Sequence, residues 1–305
     1  MADFIRWRTL ASGLALIGLL ILVFFLSRLT GDPTNLYLPI DASLEAREQF
    51  RAMHGFDDPL IVQFGTYLRD LAQFDFGMSI RKERPAIDVV LEAYPWTVRL
   101  AGITMTLVVV SAIVIGSIAA ARPGGVFDRV ASILSITGAS APDFWIAIVG
   151  ILLFAVSFGL LPTSGVGSPW HWIMPVAVLF FRPFGLILQV VRNSMITALS
   201  SAYVKTARAK GVRERTIIFV HALRNAMLPI LTVTGDQAVG LLNGAVVVET
   251  IFGFPGIGSL MIDAITQRDF ALVQTAIMIT ALVIFLMNLL IDLAYAMLDP
   301  RIRHR

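Results

Sequence analysis

The stretch LAGITMTLVVVSAIVIGSIAAA, Leu100 to Ala121, continues for 22 residues without one charged side chain. As a helix rising about 1.5 Å per residue it reaches across the ~30 Å hydrocarbon core of a bilayer. Five more apolar runs stand on either side of it: Thr9–Ser27, Phe144–Leu161, Ile173–Val191, Ile230–Val248 and Ala271–Ile291, so that all six are 18 to 22 residues long. With 57% hydrophobic and 15% charged residues, the chain would expose far too much apolar surface if it folded in water. The expectation is an all-α integral membrane protein of six transmembrane helices.

Two boundaries turn on single residues. Starting the third run at Val130 would bury Asp143 in the middle of one overlong helix, whereas Pro142 offers a helix start beside an interfacial carboxylate and leaves Val130–Ala141 as a helix at the membrane surface. The first run follows Arg6 and Arg8 and is 19 residues long, or ~28 Å as a helix. No small-x-small cleavage pattern follows it in Ser27-Arg28-Leu29-Thr30-Gly31, so it reads as a retained span and not a cleaved signal. The organisation expected is an N-terminal transmembrane helix over residues 1–29, an insertion over 30–97, and a five-span core over 98–305 that includes a loop at 192–229.

Basic residues set the orientation. With the N-terminus in the cytoplasm, the inner stretches hold fourteen bases against five acids. The outside then receives residues 30–97, with six bases and eleven acids, together with two short loops. Turn signals at Gly31-Asp32-Pro33 and Asp58-Pro59 alternate with amphipathic stretches in this segment, the pattern of a small ordered periplasmic cap.

No phosphate-binding Gly-Lys loop, zinc-protease helix or dinucleotide loop occurs, the chain has no cysteine, and its four histidines (His54, His171, His221 and His304) are scattered. An enzyme reading therefore has no residues to stand on. The net charge of +3 is too small to suggest nucleic acid.

The most informative polar segment is Ser201 to Pro229. Here Tyr203-Val-Lys-Thr-Ala-Arg-Ala-Lys-Gly211 precedes Val212-Arg-Glu-Arg and an apolar stretch ending Arg224-Asn-Ala-Met-Leu-Pro229. It reads as helix, glycine corner, helix, because Gly211 turns the chain without a side chain. Lys205, Thr206, Ala207, Arg208, Ala209, Lys210, Gly211, Val212, Arg213 and Glu214 would form a short, stiff protrusion able to lodge in a groove on a partner. A basic loop solvated among lipid headgroups is the plainer alternative.

This segment resembles the cytoplasmic loop of binding-protein-dependent ABC importer permeases, with Ala207, Gly211 and Leu223 at its matching positions. Lys205 and Arg224 stand where the general pattern has an acid and a proline. The version in this chain, including His221-Ala-Leu-Arg-Asn-Ala-Met-Leu-Pro229, is similar to that of the dipeptide, oligopeptide and nickel branch. The likeness continues in Arg28-Leu-Thr-Gly-Asp-Pro33, Gly55-Phe-Asp-Asp-Pro59, Phe76-Gly-Met-Ser79 and Ser140-Ala-Pro-Asp-Phe-Trp145. It is most specific in Asn243-Gly-Ala-Val-Val-Val-Glu-Thr-Ile-Phe-Gly-Phe-Pro-Gly-Ile-Gly258 and Leu298-Asp-Pro-Arg-Ile-Arg303.

The resemblance implies the type I importer permease fold, in the first of two permease subunits of the bacterial inner membrane. Its partners would be a second similar permease, two ABC ATPases that bind ATP and Mg, and a periplasmic solute-binding protein. The chain itself would bind no cofactor or metal. Di- or oligopeptides lead as solutes, with nickel chelates, opines and glycans as alternatives. The Gly211 loop would dock on an ATPase, and Phe252, Phe254 and Pro255 would belong to a gate loop on the periplasmic side.

Charges within spans cost on the order of 2.5–3.5 kcal/mol at a helix centre and so should face protein or water. Arg182, beside Pro183, and Asp236 are the two candidates for a translocation path; a structural contact between helices is the other reading of each. Glu249, Asp263 and Asp292 fall near span ends, where a solvated carboxylate is ordinary. Gly240 and Gly244 share a helix face and suggest close helix packing. An ion-coupled secondary transporter would need inverted repeats with broken helices, and no such repeat is visible.

Overall fold

A computed structural model describes residues 2–29, 31, 34–39 and 41–298, with the side chains of 2–12, 35, 243, 244 and 294–298 outside the description. The motif residues Thr30, Asp32, Pro33 and 299–303 therefore lie outside the described residues. The fold is helical throughout, and the strand pairing among the described residues is a two-residue hairpin, β1 (Met78–Ser79) against β2 (Arg84–Pro85). The long apolar helices are α5 (Ala86–Ala121), α8 (Trp170–Ser200), α11 (Leu223–Ile251) and α13 (Phe270–Leu298), each covering one expected run. They give four candidate spans, or five if the bent pair α6 (Val126–Ser140) and α7 (Asp143–Gly150, running on as a π-helix to Ser157) counts as one. The first run lies within α1 (Ala2–Leu29).

The break at Pro142 is where the sequence puts it. Ala141 is extended, at ψ 131°, because a residue before proline is pushed out of the helical region, and Pro142 is extended as well, at ψ 133°. The chain bends there by 99°. Beyond it the third run is shorter than expected: wider π winding takes over at Ile151 and the helix stops at Ser157, with Gly159 at φ +61°.

Two compact units share the chain. The first comprises Met1–Pro95 and Pro255–Phe285. It contains α2 (Thr34–Tyr37), α3 (Leu44–Met53), α4 (Leu60–Ala72), the hairpin and α12 (Ile257–Thr266). Its apolar core joins Val89, Val90 and Tyr94 of α5 to Ile257 and Ala264 of α12 and to Leu272, Val273 and Ala276 of α13. Buried Asp269 ties the hairpin down: it accepts from Ser79 Oγ at 2.6 Å and Arg81 N at 3.2 Å, and caps α13 through Leu272 N. Nearby, Tyr37 donates its hydroxyl to the Gln267 carbonyl at 3.0 Å. Burial pushes that hydroxyl up to about 12, with Asp269 adding to the rise and Arg81 opposing it.

The second unit comprises Trp96–Phe254 and Leu286–Arg305, and its core runs through α5, α6, α8 and the segment entering α11. One face of α6, carrying Asp128, Ala131, Ser135 and Gly138, is buried, and α6 packs on α8. The two backbones nearly touch: a Cβ on Gly185 would lie 2.2 Å from the Ser135 carbonyl oxygen, and one on Gly138 2.9 Å from that of Phe181. Arg192 on α8 forks onto buried Asp128, with Nη2 at 2.8 Å from Oδ2, and Gly124 N donates to the same oxygen at 2.8 Å.

Candidate functional site

The expected succession of helix, glycine corner and helix is present as an elbow. α9 (Ala202–Ala209) ends in a two-bond C-cap in which Gly211 N donates to the Arg208 carbonyl at 2.9 Å and Val212 N to the Ala207 carbonyl at 3.1 Å. That pattern requires a left-handed residue at its corner, and Gly211 supplies it at φ +74°. α10 (Glu214–Thr216) follows, and a π-helix over Ile217–Ala222 leads directly into α11.

The elbow has two faces. Val204 and Ile217 are buried in the core of the second unit, and Ala207 and Val212 pack against that core. Lys205, Thr206, Arg208, Ala209, Lys210, Gly211, Arg213 and Glu214 face outward. Glu214 accepts from Arg208 Nε at 2.7 Å, a contact that raises the guanidinium above its ordinary value. The outward surface therefore carries several cations on a scaffold whose apolar side is anchored.

Arg182 and Asp236 come together on one cleft of about 410 Å³, lined also by Asp143, Leu179, Pro183, Leu186, Gln237, Val239, Gly240 and Leu241. No ion pair among the described residues involves Arg182, so the cleft keeps its charges available. Asp236 Oδ2 accepts from Gln237 Nε2 at 3.1 Å, while Asp143 Oδ1 is buried with no hydrogen-bond partner. Within this chain Gly240 makes no close helix contact: nothing lies within 4 Å of a Cβ added there. Gly244 falls among the residues whose surroundings are not described.

At the far end of α11 the three loop residues separate. Phe252 and Phe254 are buried and belong to the second unit, whereas exposed Pro255 belongs to the first. Phe254 meets Trp172 edge to face at 4.8 Å and Trp96 at 6.0 Å. Gly165 N donates to the Phe252 carbonyl at 2.8 Å, fastening a second loop to this one. Beneath them Glu249 is fully buried and accepts from Thr97 Oγ1 at 2.5 Å; the expectation of a solvated end-of-span carboxylate fails because the following loop folds back over it, Phe254 N donating to the Glu249 carbonyl at 2.8 Å.

The family model for the binding-protein-dependent transport system inner membrane component matches residues 112–304. The chain belongs to that family. Among curated relatives, the dipeptide transport system permease protein DppB of Bacillus subtilis is 35% identical over 99% of this chain and 98% of its own length. The oligopeptide transport system permease protein AppB of the same organism is 35% identical over the whole of both chains. The glutathione transport system permease protein GsiC of Escherichia coli is 36% identical over 93% of this chain and 94% of its own. As a member of the family, the chain is a multi-pass membrane permease of an ABC importer, and the secondary-transporter alternative is not favoured.

Sequence reasoning missed Asp143 as a cleft residue, because its place beside Pro142 reads as an ordinary interfacial carboxylate. It also missed the Trp96, Trp172 and Phe254 cluster, whose members lie on three separate elements with no local pattern linking them.

Proposed function

We propose that this chain is one of two permease subunits of an importer for di- or oligopeptides and related solutes. A periplasmic binding protein delivers the solute, and two ATPase subunits that bind ATP and Mg supply the energy. One observation carries the coupling: the elbow at Gly211 is anchored on the core, presents Lys205, Arg208, Lys210 and Arg213 outward, and continues without a loop into α11. From the elbow the chain enters α11 and passes Asp236 in the cleft and then Glu249 beneath the aromatic cluster. Displacement of the elbow by a closing ATPase pair thus acts on both the cleft and the Phe252–Pro255 loop, which we assign as the periplasmic gate. That is alternating access by conformational change.

The excess of bases at the elbow end supports cytoplasmic termini and a periplasmic position for residues 30–97. The peptide relatives support the solute class, and a glutathione relative extends it to peptide-like molecules.

Because the chain has no cysteine, Lys210→Cys introduces a single thiol at the elbow. In liposomes holding the assembled importer, a short thiol crosslinker should join it to an ATPase subunit, and the link should block ATP-driven peptide uptake. Uptake driven by an ion gradient without ATP, or a thiol that reacts only with lipid-borne reagents, would overturn the assignment.

A further inference from the structure

Arg182 on α8 and Asp236 on α11 are exposed side chains that border one cleft of about 410 Å³ within the second unit. That volume falls within the ~300–1,000 Å³ of small-ligand pockets. Both charged groups are open to a solute in the cleft, and neither is engaged by the other. No ion pair joins them. Among the described residues Arg182 donates no hydrogen bond, and Asp236 accepts from its neighbour Gln237 at 3.1 Å. Asp143, the third charge of the lining, keeps Oδ1 buried, so that atom offers a solute no contact.

An opposite pair held apart in one cleft presents donors at one place and an acceptor at another. Arg182 offers a guanidinium fork suited to a carboxylate, and Asp236 a carboxylate suited to an ammonium. A solute carrying both groups satisfies both. An anion leaves Asp236 unmatched, and a cation leaves Arg182 unmatched. The wall next to Asp236 is clear: Gly240 stands one turn further on the same helix face, lines the cleft, and has nothing within 4 Å of an added Cβ. Beyond the charges and Gln237 the lining is apolar, so it holds few polar groups with which to sort solutes by side chain.

We infer that this cleft reads the two free ends of a short peptide. Asp236 accepts from the N-terminal ammonium, and the guanidinium of Arg182 donates to the C-terminal carboxylate. The inference rests on the importer reading and narrows its solute class to peptides with both ends unblocked.

The test uses the assembled importer in lipid nanodiscs, without nucleotide and without the binding protein, so that selection by the latter does not enter. L-alanyl-L-alanine, its N-acetyl form and its C-terminal amide are each titrated, with binding followed by saturation-transfer NMR above an empty-nanodisc control. In the wild type each blocked peptide should bind about tenfold weaker than the free dipeptide, the worth of one charge-assisted hydrogen bond. Asp236→Asn should largely abolish the penalty for N-acetylation and keep that for amidation, and Arg182→Gln should do the reverse. Where either variant fails to assemble, the wild-type order of the three peptides decides. No saturation transfer to the free dipeptide, equal binding of free and blocked peptides in the wild type, or penalties that the two substitutions leave unmoved or move alike would each overturn the inference. ATP-driven dipeptide uptake by wild-type liposomes with the binding protein present is measured in parallel: its loss counts against the importer reading, whereas its presence beside any of those results strikes the end-reading cleft alone.

Discussion

Thr97 donates its hydroxyl to the fully buried carboxylate of Glu249 at 2.5 Å, joining α5 to the last turn of α11. Thr97→Val keeps the shape and removes the donor, so it should cost about 1–3 kcal/mol and lower the melting temperature of the detergent-solubilised protein. Thr97→Ser should retain most of the stability. Equal melting of Thr97→Val and wild type would show that the contact contributes nothing.

Gly211 is limited by backbone conformation and not by space: its φ is +74° and nothing lies within 4 Å of an added Cβ. Gly211→Val should cost about 1–2 kcal/mol through left-handed strain, whereas Gly211→Asn, which tolerates that region, should cost less. Coupled ATP hydrolysis in liposomes should follow the same order, with Gly211→Trp inserting normally but losing the coupling.

Asp236 and Arg182 should matter for passage and not for assembly. Asp236→Asn and Arg182→Gln are each expected to lower peptide uptake about tenfold, the worth of one charge-assisted hydrogen bond to the moving solute. The ATPase subunits should still co-purify in normal amount. Unchanged uptake in both variants would remove the cleft from the path.

Gly185 and Gly240 make a matched pair. At Gly185 a methyl group meets the Ser135 carbonyl oxygen at 2.2 Å, and at Gly240 it meets nothing. Gly185→Ala should destabilise by about 1–3 kcal/mol through overpacking. Gly240→Ala should be neutral or up to about 1 kcal/mol stabilising through helix propensity. Thermal melts of the two variants side by side check the contrast.

Tyr37 predicts an alkaline limit. Its hydroxyl is raised to about 12 in the folded chain from an ordinary 10.0, so the stability it contributes is complete below about pH 10 and is lost as pH rises through about 12. Melting temperature against pH should fall less steeply over that window for Tyr37→Phe than for wild type. Some fall should persist, because burial also raises Tyr67.

Much of the scaffold was legible because single residues carry strong local rules. Pro142 ends α6 by pushing Ala141 into an extended conformation, Gly211 ends α9 by its freedom at positive φ, and long apolar runs have few alternatives to a helix. The limits arose where the deciding contact is remote in sequence. Gly138 and Gly185 form the close helix crossing, although neither stands in the four-residue spacing that drew attention to Gly240 and Gly244. Nothing near Glu249 shows that Thr97, 152 residues away, will donate to it. Arg182 and Asp236 could be named from the cost of their charges alone, yet their convergence on Asp143 depends on how three helices pack.

Near the middle of α11, Gly235 lies against Ile291, whose Cγ2 would be 2.9 Å from an added Cβ. This contact divides the helix into arms of ~18 Å toward Leu223 and ~24 Å toward Ile251 at about 1.5 Å per residue. A see-saw on that fulcrum reverses direction and enlarges travel by about one third. On the alternating access proposed above, opposite swings of the two ends of α11 would narrow one mouth of the passage while widening the other.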